Sequence, residues 1–165
     1  MNAIIKGLIV GTVATGALDR LSTYLYDHEE AASRKAEDQA RSGLHAYEKA
    51  VAGLGRAVGV RLKRKDLGVW GWRFHKAFGI AGGLAYVLFR KRYPKLGALS
   101  GLVFGSAFFV GGDEIMGPAT GWTPGPRAFP FRTHLRGAVS HLAYGVAAES
   151  TARTLERFSK DRRAA

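Results

Sequence analysis

The sequence predicts an all-α fold: an integral membrane bundle of about four helices, with an amphipathic helical segment between the first two. Three observations predict it. Four long apolar stretches punctuate the 165-residue chain. Aromatic and basic residues flank these stretches, as membrane interfaces favour. The chain also carries 22 glycines although almost half of its residues are apolar. An interior glycine weakens a water-soluble helix by roughly 1 kcal/mol, whereas in a bilayer it lets helix backbones approach closely.

The first stretch, 3–26, is apolar apart from Lys6 and the pair Asp19–Arg20, and Tyr24 and Tyr26 close it. Asp19 and Arg20 stand where a signal-peptide cleavage region would fall, so the segment is expected to be retained as a helix. The second, 69–89, opens on Trp70 and Trp72, carries Arg73, His75 and Lys76 in its first turns, and is followed by "RKRYPK". The third, 96–112, is uncharged and ends on the adjacent carboxylates Asp113 and Glu114. The fourth, 131–155, includes His134, Arg136, His141 and Glu149. A spanning helix needs about 20 mostly apolar residues. No stretch reaches that without a charge, so hydropathy alone also admits a soluble helical bundle; the flanks decide for the membrane.

The chain reads as one membrane domain, 1–165, with an extramembrane segment at 27–68 and a basic tail at 156–165. In the segment, acidic residues lead and basic ones follow, as the helix dipole prefers. Leu44, Tyr47, Val51, Leu54 and Val58 recur at helical spacing, predicting one apolar face that covers an end of the bundle. A surface helix lying against anionic lipid is the alternative. Lys and Arg divide ten against ten between the two sides. Both termini are expected in the cytoplasm, because their side holds its ten in short segments.

Composition excludes several classes. There is no Cys, which removes disulfides, thiolate metal sites and a Cys nucleophile. The net charge of +12 lies in flanks of apolar segments rather than on one folded face, so no nucleic-acid partner is expected. No Walker loop, nucleophile elbow or dinucleotide fingerprint occurs.

The polar residues inside the apolar stretches are the candidate site. At 100° per residue, His134, Ala138, His141, Gly145 and Glu149 share an arc of about 80°, with Arg136 pointing away from it. Gly97, Gly101 and Gly105 form a row in the third stretch, as do Gly7 and Gly11, continued by Thr15 and Asp19, in the first. Such rows pack helices together, within the chain, against another copy or in a larger complex. Asp113 and Glu114 would point about 100° apart on a helix and so meet different partners, one at a basic or imidazole group inside the bundle and the other at the interface. One expected role pairs a carboxylate with Arg127, Arg132 or Arg136, before "GPATGWTPGP" ends the helix. Imidazoles beside carboxylates also admit a proton-responsive cluster, a metal site or a haem. No HExxH, ExxH or CxxCH spacing is present, and no cofactor or metal is expected.

The stretches "GLIVGTVATGALDRLSTYLY", "FHKAFGIAGGLAY", "FGSAFFVGGDE" and "TPGPRAFPFRTHLRGAVSHLAYGVAAE" resemble the YagU-like family of small bacterial inner-membrane proteins. The matching positions are Asp19, His75, Asp113, Glu114, His134, Arg136, His141 and Glu149. The resemblance implies an integral inner-membrane protein, with acid-stress tolerance as the role loosely attached to the family, and no catalytic chemistry. The expected function is an accessory, scaffold or stress-tolerance protein without its own catalysis. A proton-linked transport device and a metal- or haem-dependent membrane enzyme are the alternatives.

Overall fold

A computed structural model describes the backbone of residues 2–164 and the side chains as far as Ser159. The charged side chains of Lys160, Asp161, Arg162 and Arg163 in the expected basic tail lie outside the described residues. Among the described residues the chain is all-helical, without strands.

Helix α1 spans Ala3–Asp27 and starts under the Asn2 side chain, whose oxygen accepts from the Ile4 amide at 2.8 Å. Two shorter helices follow, α2 (Ala31–Arg41) and α3 (Ala46–Ala57), and then the long α4 (Arg64–Arg92). A 3-10 turn at Pro94–Leu99 leads into α5 (Ser100–Phe109), which runs on as a π-helical segment, Val110–Met116. The single turn α6 (Gly117–Ala119) and a 3-10 turn at Pro126–Ala128 precede α7 (Phe131–Ala164).

The long helices run antiparallel in the pairs α1/α4 and α5/α7. One end of the bundle gathers the N-terminus, the 90–95 turn and the C-terminal part of α7, where Lys6 reaches Glu156 at 2.5 Å. The opposite end is covered by α2, α3 and the connection between α5 and α7. We call these the terminal end and the cap end.

Glycine sets both pairings. A Cβ on Gly83 would overlap the Gly11 backbone, and one on Gly7 would come within 2.7 Å of the Leu84 Cα. A Cβ on Gly101 or Gly105 would overlap the carbonyl oxygens of Gly145 and His141. Backbones this close leave room for few side chains. The core is accordingly small: Val10, Ala14, Tyr86, Tyr144, Ala148 and Ala152. Tyr144 donates its hydroxyl to the Gly79 carbonyl at 2.7 Å and so ties α7 to α4.

Large apolar side chains instead point outward. Ile4, Ile5, Leu8 and Val13 on α1 are exposed, as are Val69, Trp70, Trp72 and Leu88 on α4, Leu102 and Val103 on α5, and Leu135 and Val146 on α7. One helical run, Pro94–Ala119, is long and apolar enough to cross a membrane, by length and composition.

Three sequence expectations need correction. Gly97 does not continue the row of Gly101 and Gly105, because it sits in the 3-10 turn at a positive φ of 53°, where the chain kinks. The 27–68 segment is two helices rather than one. Ser42 and Gly43 both take positive φ, of 55° and 81°, and place Leu44 in the joint. Leu44 is thereby parted from the row, and within α3 Tyr47 packs on His75 with ring centroids 4.7 Å apart and Ala50 is buried, while Leu54 and, at the helix end, Val58 are exposed. Finally, 110–116 is π-helical rather than α-helical, although Asp113 and Glu114 still approach different side chains, as their adjacency on a helix implies.

Candidate functional site

The eight candidate residues form four separate groups. The first joins α1 to α4: Asp19 accepts from His75 Nε2 at 2.7 Å and also pairs with Lys76. Lys76 in turn lies 4.3 Å over the Trp72 ring. These contacts neutralise the only acidic residue within the first stretch.

The second group ties α7 to the cap. Arg136 is buried and bridges Glu29 at 2.5 Å and Glu37 at 2.6 Å, with its guanidinium 5.0 Å from the centre of the Tyr26 ring. Glu37 is fully buried in α2 and also takes bonds from Arg41 and from the Thr133 hydroxyl at 2.9 Å. Burial pushes the Glu37 carboxyl up, but the Arg136 hydrogen bond and the Arg41 and Arg136 charges outweigh it and hold the group below its ordinary 4.5. Arg136 is therefore taken, and Arg132 pairs with Glu30 at 3.0 Å. Neither meets Asp113 or Glu114, nor is Arg127 paired with either among the described residues, which corrects the arginine pairing expected for these carboxylates.

Asp113 and Glu114 meet histidines instead, forming the third group. Glu114 Oε1 lies 2.6 Å from His134 Nδ1, and the other ring nitrogen, Nε2, lies 2.9 Å from the Pro126 carbonyl. With an acceptor at each nitrogen, this ring and carboxylate share one proton on the Nδ1–Oε1 line, while Nε2 donates to Pro126. Asp113 Oδ2 stands 3.8 Å from His141 Nδ1, beyond hydrogen-bonding distance. His141 Nδ1 donates to the Gly137 carbonyl at 2.9 Å. The π-helical segment, of a kind common at functional sites, turns both neighbouring carboxylates toward α7.

Glu149 belongs to a fourth group at the terminal end. It accepts from the Tyr86 hydroxyl, from Arg90 Nε at 2.8 Å and from Arg153. Arg90 continues to Glu156 at 2.6 Å, which also holds Lys6. The arc shared by His134, His141 and Glu149 is thus one helical face but not one site.

The third group lines a cavity of about 270 Å³ at the cap end. Its walls are aromatic: Phe74 and Phe78 from α4, Phe108 and Phe109 from α5, Trp122 from the connection and Tyr144 from α7. Its polar lining includes Asp113, Glu114, His134, His141, Ser140 and Thr123, with His75, Arg41, His45 and Lys49 toward α2 and α3. The hydroxyl oxygens of Ser140 and Thr123 are buried without a hydrogen-bond partner. Among the described residues no three His, Asp or Glu side chains are grouped to hold a metal ion.

Sequence reasoning missed Tyr86, Arg90, Glu37, Trp122, Thr123 and Ser140. Glu37 meets Arg136 across 99 residues of chain, and no local pattern encodes that contact. Comparison with known protein families, with characterised proteins and with solved structures found no match.

Proposed function

We propose that this chain is a multi-pass protein of the bacterial inner membrane, acting as an accessory or scaffold protein without catalysis of its own. The observation that carries the reading is an inverted surface. Large apolar side chains face outward on all four long helices, while Asp19, Glu149 and Arg136 are paired toward the inside. Contiguous apolar exposure on this scale marks a lipid or protein interface, and ionisable groups within a bilayer face the bundle interior and pair with one another.

Three of the four proposed spans carry charges that lower their mean hydropathy. Asp19, Lys76, Arg136 and Glu149 each have an internal partner, which offsets part of their cost in lipid. The resemblance to YagU-like proteins points the same way, and acid-stress tolerance is the role it attaches.

A conduit is less well supported than a one-ended site. Tyr144, bonded to Gly79, closes the cavity toward the terminal end with Phe108, and Phe104 and Tyr86 pack edge-to-face behind them, with their ring centroids 5.3 Å apart. Washing isolated membranes with alkaline carbonate tests the membrane reading. The protein is expected in the pellet, and release into the supernatant would contradict it.

A further inference from the structure

We infer that the cap-end cavity is a binding site for a small organic cation, a protonated amine carried on an aromatic or branched apolar body. The inference rests on the cavity's own groups and stands whether or not the bundle lies in a membrane.

The groups left free in the cavity can all accept a hydrogen bond, the Ser140 and Thr123 hydroxyls being able to donate as well. Asp113 makes no hydrogen bond among the described residues, and its side chain is 52% exposed although it lines the cavity. His141 commits its Nδ1 proton to Gly137, which leaves Nε2 as the ring nitrogen open to a further partner. Ser140 is only 1% exposed, its hydroxyl has no partner, and the residue lines the same cavity. A buried polar group of this kind calls for a hydrogen-bonding partner.

The other charged groups facing this space are already engaged. Glu114 is held by His134 and His75 by Asp19. Arg41 is held by Glu37 and His45, and Lys49 donates to the Arg41 carbonyl at 2.9 Å. Of the two carboxylates lining the cavity, Asp113 is the one without a hydrogen-bonded partner among the described residues, and an ammonium group supplies one. The aromatic walls suit the rest of such a ligand, since ring faces attract cations and bury apolar bodies.

Phenethylamine is a suitable probe, with phenethyl alcohol and phenylacetate as its neutral and anionic counterparts. Binding to the purified full chain in detergent, read by calorimetry, should be saturable for the amine and weaker by at least about tenfold for both counterparts. Asp113→Asn should lose roughly the same factor while melting close to wild type, because Asp113 makes no hydrogen bond among the described residues. If that variant fails to fold, the wild-type indole resonances still decide. Trp122 should shift with the amine while Trp70 and Trp72 do not. Equal shifts at all three overturn the proposal. So does phenylacetate or the alcohol binding as tightly as the amine, unchanged affinity in Asp113→Asn, or no saturable amine binding up to about 10 mM.

Discussion

Glu149 and Arg90 join α7 to α4 at 2.8 Å, and Tyr86 donates to the same carboxylate oxygen from inside the core. One acidic side chain, nearly buried, thus satisfies two groups of α4 at once. Replacing Glu149 by Leu leaves Arg90 and the Tyr86 hydroxyl without that acceptor. Removing one member of a buried pair costs about 3–5 kcal/mol, so Glu149→Leu should melt well below wild type in detergent. Arg153→Ala should change little, because Arg153 is 42% exposed on its side of the pair. Thermal unfolding of the two variants side by side checks this.

The glycine contacts predict a second contrast. A methyl group at Gly145 would overlap the Gly101 carbonyl, whereas one at Gly16 would meet nothing within 4 Å. Gly145→Ala should therefore destabilise by about 1–3 kcal/mol through overpacking. Gly16→Ala should be neutral or stabilise by up to roughly 1 kcal/mol, since alanine favours helix more than glycine does. The same engagement means that Gly7, Gly11, Gly83, Gly101, Gly105 and Gly145 hold this chain together; association with another copy would need a different surface.

What the sequence made legible was mostly local. Helical stretches and the shared face of His134 and His141 follow from spacing and backbone chemistry, whereas the break expected at Gly117–Pro118 does not occur: both residues are helical and the run continues to Ala119. One feature escaped because it depends on contacts distant in sequence: Glu149 lies on the histidine face yet turns to Arg90 and Tyr86, residues of another helix. The π-helical form of 110–116 left no signal in the spacing, but Asp113 and Glu114 approach different histidines, as their adjacency on a helix implies. Charges lowered the apparent hydropathy of three helices, and only the fold reveals that Asp19 and Glu149 have partners.

Acid should loosen the cap first. Glu37 is held below its ordinary 4.5 in the folded protein, so its contribution to stability is full above that value. It is lost as the pH falls through the lower folded value and Glu37 takes up a proton. Arg136 is then left with Glu29 alone. Hydrogen exchange in Ala31–Arg41 should accelerate at pH 3 relative to pH 7 by more than that in α4. In Glu37→Gln the difference should already be present at pH 7. Equal acid sensitivity in wild type and Glu37→Gln would remove Glu37 from this role.

The central claim is that the bundle crosses a membrane with its two ends on opposite sides. The chain has no Cys, so single cysteines can be placed without background. Lys95→Cys at the terminal end and Gly125→Cys at the cap end both replace exposed residues. The decisive measurement is labelling of each variant by a membrane-impermeant maleimide, in right-side-out and in inverted vesicles. A spanning bundle predicts that the two cysteines are labelled in opposite preparations. Labelling of both from the same side, or of both in either preparation, would contradict it.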